Sequence, residues 1–206
     1  APLAETLAAA LVLASEWDRR APLVDPFCGS GTILIEAALI AGNVAPGLFR
    51  AQFGFERWVG HDAGAWTKLR DATRAAIKHP AKLVLLGRDV DAATLAGAAE
   101  NVAAAGLEGR ITLEVGDALE FVPKKGWNAW IVTNPPYGER IGDAREVSEL
   151  HRRFGAQLRG HCGGFHVALL GPRDGFARSL ALPGADAIAV TNGGLECEIV
   201  RAVLAR

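Results

Sequence analysis

An α/β fold, with a mostly parallel sheet and helices on both faces, follows from three observations on this sequence. Short apolar runs alternate with longer Ala- and Leu-rich segments along the chain. A glycine turn, Gly29-Ser30-Gly31, joins one such run to the helix-forming segment after it. Asp25, Asp89, Asp117 and Asn134 each stand at or just past the end of an apolar run. Alternating strands and helices call for parallel strands, because each strand returns beside its neighbour through a helical crossover. Polar residues gathered past strand ends mark the edge where such sheets hold ligands.

The elements are predicted in order. Leu3 to Glu16 reads as a helix, and Leu23-Val24 leads a first strand that ends at Asp25. Thr32 to Ala41 is the helix after the glycine turn, and residues 43–82 then interrupt the alternation as an insertion. Leu83 to Gly87 is the second strand. Asp91 is placed to cap the helix from Ala92 to Ala105, which Gly106 ends. Ile111 to Val115 and Trp127 to Thr133 are the third and fourth strands, and Glu146 to Leu158 is a helix. Phe165 to Leu170 is the fifth strand, and Ala187 to Val190 and Cys197 to Leu204 supply the last two.

With 206 residues, half of them hydrophobic, the chain is long enough to bury a full core in one domain. No apolar run approaches the ~20 residues of a membrane span and no basic-then-apolar signal opens the sequence, so a cytoplasmic protein without membrane attachment is expected. Cys28, Cys162 and Cys197 lack C-x-x-C spacing and read as reduced, buried thiols. His61, His79, His151, His161 and His166 form no ligand spacing. They read as surface or core-edge residues, and no metal site is expected.

Two motifs carry chemistry. Asn134-Pro135-Pro136-Tyr137 follows the apolar run Trp130 to Thr133. Two prolines stiff in φ leave the Asn134 side-chain oxygen and the Pro135 carbonyl as acceptors beside the Tyr137 ring, an arrangement that fits an exocyclic amine on a planar group. A rigid strand-to-loop turn without catalytic use is the plainer reading. Upstream, Asp25-Pro26-Phe27-Cys28-Gly29-Ser30-Gly31-Thr32 sits between strand and helix. Its glycines allow close backbone approach, and the helix start offers unpaired N–H groups. It has neither the Lys-Ser or Lys-Thr of a phosphate loop nor the G-x-G-x-x-G of a dinucleotide fold, which counts against a dehydrogenase. An acid at the strand end suits a ligand with an ammonium and a sulfonium better than a pyrophosphate.

Together, DPFCGSGT and NPPY resemble the class I S-adenosylmethionine-dependent methyltransferases that modify amine nitrogens. More narrowly, the chain resembles the catalytic domain of THUMP-domain RNA guanine-N2 methyltransferases. That likeness runs through DPFCGSGTILIEAAL, Ala45-Pro46-Gly47-Leu48, Gly87-Arg88-Asp89-Val90-Asp91, TNPPYGERIG and Asn192-Gly193-Gly194-Leu195-Glu196-Cys197. It implies a Rossmann-like, mostly parallel seven-stranded sheet with a C-terminal antiparallel strand. S-adenosyl-L-methionine is the implied cofactor, and ribosomal or transfer RNA the implied partner.

Site residues follow from the same resemblance. Asn134, Pro135 and Tyr137 are the expected catalytic residues, the first two accepting from the target amine and the ring stacking on the base. Asp25, Phe27, Cys28, Gly29, Gly31 and Thr32 are expected to line the cofactor, with Asn134 beside them. Asp89 is expected on the ribose hydroxyls with Val90 adjacent and Asp91 as the other candidate, Asp117 (a plain turn aspartate in the other reading) and the Ala118 N–H on adenine, and Thr6 on the methionine carboxylate. Glu36, among apolar neighbours on its helix, is expected to bond to a loop.

A net charge of −1 is less basic than a domain that grips RNA unaided. The chain has no methionine and starts at Ala1-Pro2-Leu3, which suggests a methyltransferase catalytic domain, residues 1–206, taken from a longer chain with a separate RNA-binding module; processing of an initiator is the other reading. Residues 43–82 carry seven basic and three acidic side chains, a net of +4, with Phe49, Phe53, Phe55, Trp58 and Trp66 among them. The segment reads as an amphipathic insertion whose aromatics pack onto the core, with base stacking as the other reading. Direct methyl transfer to guanine N2 is the expected activity. An adenine-N6 nucleic-acid methyltransferase and a noncatalytic RNA-binding domain of the same fold are the alternatives.

Overall fold

In the computed structural model, which describes residues 3–78, 80, 82–137 and 144–206, seven strands form one sheet. The strands are β1 (Leu23–Asp25), β2 (Leu85–Asp89), β3 (Thr112–Val115), β4 (Trp130–Thr133), β5 (His166–Pro172), β6 (Asp186–Asn192) and β7 (Leu195–Val203). Their order across the sheet is β3-β2-β1-β4-β5-β7-β6. β7 runs antiparallel to both neighbours, and the pairs on the other side of β5 are parallel.

Helices α1 (Glu5–Ala14), α2 (Thr32–Ala41), α3 (Ala63–Ala75), α4 (Ala92–Ala104), α5 (Ala144–His161) and α6 (Phe176–Leu180) complete the fold. Strand residues alternate between two apolar layers, as the two-residue period of a strand requires. Leu23, Leu85, Trp130, Val132, Ala168 and Leu170 face one layer with α1, α2 and α4. Val24, Leu86, Ile131, Val167 and Leu169 face the other, which holds Phe154, Leu158, Phe176 and Leu180 of α5 and α6. The sheet is therefore covered on both faces, as a parallel sheet requires.

Several predicted boundaries move. β2 begins at Leu85 rather than Leu83, because pairing starts where Leu23 of β1 meets Leu85, and it runs on to Asp89. β4 begins at Trp130. Trp127 instead closes a turn, its N–H donating to the Lys124 carbonyl at 3.1 Å. Two helices escape the sequence reading. α6 is five residues long, and α3 lies inside the 43–82 segment, capped by Asp62 accepting from the Ala65 N–H at 2.9 Å.

The aromatics of that segment pack neither onto the core nor singly. Phe53, Phe55 and Trp66 pack on one another with centroids 4.9 to 5.5 Å apart, while Phe49 and Trp58 are exposed. No residue from 43 to 78 is buried. The three cysteines are free and buried, as expected.

Strand order sets the position of the site. From β1 the chain proceeds outward to β2 and β3, then returns to lay β4 against the other side of β1. The crevice at the carboxyl ends of β1 and β4 is the switch point where ligands of open α/β sheets bind.

Candidate active site

Asp25, the last residue of β1, and Thr133, the last of β4, meet in that crevice although 108 residues separate them. The Thr133 hydroxyl donates to Asp25 Oδ1 at 2.6 Å. The same oxygen accepts from the Phe27 N–H at 3.2 Å, whereas Oδ2 is buried with no partner among the described residues. Desolvation pushes the Asp25 carboxyl up to about 7, opposed by the Thr133 and Phe27 bonds and reinforced by the Asp89 charge. An acceptor oxygen buried without a donor is costly and is explained by a ligand that supplies one.

After β1, the Cys28 N–H donates to the Arg88 carbonyl of β2 at 2.9 Å, and the Gly31 N–H to the Cys28 carbonyl at 2.8 Å. Gly29 and Gly31 have φ of +51° and +80°, where a side chain would be strained. A Cβ on Gly31 would touch Ala98 of α4 at 3.5 Å, but one on Gly29 would meet nothing within 4 Å. Gly29 thus fronts open space while Gly31 backs onto a helix. Phe27 packs edge to face on Phe154 of α5, with centroids 5.0 Å apart. Cys28 is buried with its thiol pushed up by desolvation, so it is an inert wall. The Thr32 hydroxyl pairs with that of Ser30 at 3.0 Å.

Asp89, ending β2, has one bond on each oxygen. Oδ2 accepts from the Gly29 N–H at 3.1 Å and Oδ1 from the Asp91 N–H at 3.0 Å. Each oxygen keeps a further lone pair for a diol. Asp91 caps α4, accepting from the N–H groups of Ala93 and Thr94, as its position predicted. Val90 between them is exposed, an apolar side chain beside the open crevice. Asp117 Oδ1 accepts from the Leu119 N–H at 2.8 Å and leaves Oδ2 unpaired among the described residues; Ala118 beside it is buried.

Asn134 lies just past β4, and its Oδ1 is buried without a partner among the described residues. Pro135 is buried behind it. Tyr137 is half-buried against the α1–α2 layer, and its hydroxyl accepts from Asn192 Nδ2 at 2.8 Å with Cys197 Sγ 3.9 Å away. Burial, against the Asn192 bond, pushes the phenol up to about 12, so it stays protonated. Residues 138–142 of the TNPPYGERIG stretch, with residue 143 after them, lie outside the described residues, as does His79.

Thr6 is exposed in the first turn of α1. Two expectations differ. Glu36 makes no loop bond among the described residues; its carboxyl pKa is raised by desolvation and by Glu5. His151 is neither at the surface nor at the core edge. It is buried on α5, its ring Nε2 3.0 Å from the Pro136 carbonyl.

The sequence reading also missed Arg88. Its guanidinium covers Gly116, where a Cβ would come within 2.5 Å of Cζ, and Nη1 donates to the Asp117 carbonyl at 3.3 Å. A glycine facing a long cation across adjacent strands is the signal that was available. Among the described residues no His, Cys, Asp or Glu cluster could hold a metal, and no helix is long and apolar enough to cross a membrane. A cavity of about 510 Å³ lies elsewhere, among Leu13, Ile40 and Ala76 near the C-terminal ends of α1, α2 and α3. None of the site residues lines it.

A seven-stranded sheet with a reversed β7, a glycine turn after β1, an acid ending β2 and Asn-Pro-Pro-Tyr after β4 together define a class I methyltransferase fold. The comparisons agree: residues 1–201 match the RMKL-like methyltransferase domain, and the chain belongs to that family. It is 40% identical over 207 residues to a ribosomal RNA large subunit methyltransferase K/L from Pseudoalteromonas atlantica, covering 99% of this chain and 29% of that protein. A putative methyltransferase complexed with SAH superposes with a TM-score of 0.90 at 31% identity, over 100% of this chain and 54% of that one. A predicted N6-adenine-specific DNA methylase from Listeria monocytogenes gives 0.81 at 31% identity, over 98% and 52%. The chain spans under a third of the length of these curated relatives.

Proposed function

We propose that this chain transfers a methyl group from S-adenosyl-L-methionine to the exocyclic N2 amine of a guanine in RNA, with ribosomal RNA favoured and transfer RNA next. The observation that carries this reading is the buried Asn134 Oδ1 at the switch point, without a partner among the described residues and one residue beyond the Thr133 bond to Asp25. The names of the ribosomal RNA relatives support the substrate class.

The residues present fit the cofactor. Gly29 leaves open space at the turn, Asp25 Oδ2 lacks a donor that an ammonium supplies, and Asp89 and Asp117 keep acceptor capacity for ribose hydroxyls and an adenine amine. When bound, the cofactor supplies a methyl already activated on a sulfonium. The protein's part is to orient the amine and exclude water. Asn134 Oδ1 and the Pro135 carbonyl accept the amine hydrogens, aim its lone pair, and stabilise the positive charge that grows on nitrogen. The extra proton leaves after transfer, so no base with a matched pKa is needed beside the turn. Tyr137, its hydroxyl tied to Asn192, presents its ring to the base. The target nucleotide leaves its stack to enter.

Residues 1–206 act here as a catalytic domain in a cytoplasmic protein, residues 43–82 as an insertion, and RNA recruitment rests with a further domain. Adenine N6 offers the same amine chemistry, and the description of the Listeria structure keeps it as the second reading. Labelled-methyl transfer to unmodified ribosomal and transfer RNA, with nucleoside analysis, separates them. N2-methylguanosine supports the proposal and N6-methyladenosine replaces it with the second reading. Cofactor binding without transfer to any RNA favours a noncatalytic domain.

A further inference from the structure

Residues 134–137 have an unusual mechanical problem. Two consecutive prolines remove two donors, and among the described residues no main-chain hydrogen bond outside the sheet ladder holds the turn. Side chains from elsewhere do so. Asn192 at the end of β6 reaches the Tyr137 hydroxyl, and His151 of α5 reaches the Pro136 carbonyl.

His151 occupies an apolar stripe of α5, with Val147 before it and Phe154 and Leu158 after it, all buried. Helical spacing puts these four on one face, where packing alone favours a fourth hydrocarbon. Among the described residues, the polar contact of that imidazole is with the backbone of the turn, at 3.0 Å. A carbonyl only accepts, so Nε2 carries the hydrogen. The ring also packs edge to face on Phe176 of α6, with centroids 4.8 Å apart. Desolvation lowers its pKa, against the opposing effect of the Pro136 bond, which keeps the ring neutral at neutral pH.

Resting on the reading of the turn as the amine's acceptor, we propose that His151 is a positioning residue for methyl transfer. Its Nε2–H holds the Pro136 carbonyl and thereby fixes the Pro135 carbonyl and the Asn134 side chain where they meet the amine. His151 does not touch the substrate; it sets the geometry of the groups that do.

The test compares His151→Phe, which keeps an aromatic ring but loses the donor, with His151→Gln, whose amide reaches the Nε2 position, in the full-length protein. His151→Phe is expected to bind S-adenosylmethionine in calorimetry as the parent does, with KM for RNA little changed and kcat down by about tenfold to a hundredfold. His151→Gln restores most of kcat. Full kcat in His151→Phe, or His151→Gln as slow as His151→Phe, overturns the proposal. Where His151→Phe does not fold, His151→Asn replaces it, since its shorter amide cannot reach the carbonyl. Gln active and Asn slow at equal Tm supports the proposal, and equal rates overturn it. Asn134→Ala run alongside separates the two readings. If it keeps full kcat, the turn itself is misread; if it is inactive while His151→Phe is fully active, only the role of His151 fails.

Discussion

Two acceptors without a donor among the described residues, Asp25 Oδ2 at the end of β1 and Asn134 Oδ1 just past β4, flank the Thr133 bond, and the proposed function divides them between cofactor and substrate. Asn134→Ala should leave S-adenosylmethionine affinity within about twofold in calorimetry while lowering the rate of methyl transfer by roughly a hundredfold or more, because its bond strengthens as charge develops on the amine. Asp89→Ala should do the reverse first and weaken cofactor binding, since Asp89 also holds the Gly29 N–H. Asp25 makes a prediction about pH. Its folded pKa, near 7, lies above the ordinary 3.8, so the folded state holds the proton that the unfolded state releases. The associated stability is fully present below about pH 4 and is lost as pH rises through 7. Asp25→Asn, which keeps an acceptor for Thr133, should therefore gain Tm relative to the parent at pH 8 compared with pH 5, by a few degrees or so in thermal melts without cofactor. An unchanged difference between the two pH values would refute the protonated carboxyl.

Between elements, α5 packs closely on α6 beside the site. Gly155 of α5 is buried against the backbone of Leu180, where an added Cβ would meet the carbonyl carbon at 2.8 Å and its oxygen closer still. Ala is worth about 1 kcal/mol more than Gly inside a helix, but a rigid backbone clash costs about 1–3 kcal/mol or more. Gly155→Ala should thus be net destabilising, read as a lower denaturation midpoint. It should also slow transfer by displacing His151, one turn earlier on the same helix. The helix of α5 was legible in the sequence, but His151 was read as a surface or core-edge residue and is buried in its apolar stripe. That its imidazole reaches Pro136 was not legible, because the partner lies on a different element. The Asn192-Gly193-Gly194-Leu195-Glu196-Cys197 stretch was likewise legible only as a resemblance. Its physical use emerges when β6 and β7 bring Asn192 and Cys197 to the Tyr137 hydroxyl.

Across the whole molecule, stability is uneven. β1, β4 and β5 contribute Leu23, Val24, Ile131, Val132, Leu169 and Leu170 to the two apolar layers, whereas nothing from residue 43 to 78 is buried. Native-state hydrogen exchange should show opening free energies near the global value for the central strands and well below it for 43–78. Comparable protection in both would mean that α3 is held more firmly than its exposure indicates. Sequence alone determined the alternating architecture, the helix from Thr32 to Ala41, the cap at Asp91, and the four residues at strand ends that line the candidate site. These depend on local periodicity, turn chemistry and the rule that parallel sheets bind at their carboxyl edge. Tertiary structure alone decided that Asp25 and Thr133 bond, that Asp89 ties down the Gly29 N–H, that Arg88 lies on Gly116, and that His151 and Asn192 brace the diproline turn. Each of these is a contact between segments far apart in the chain, and distance in sequence carries no information about which side chains the sheet order brings within hydrogen-bonding reach.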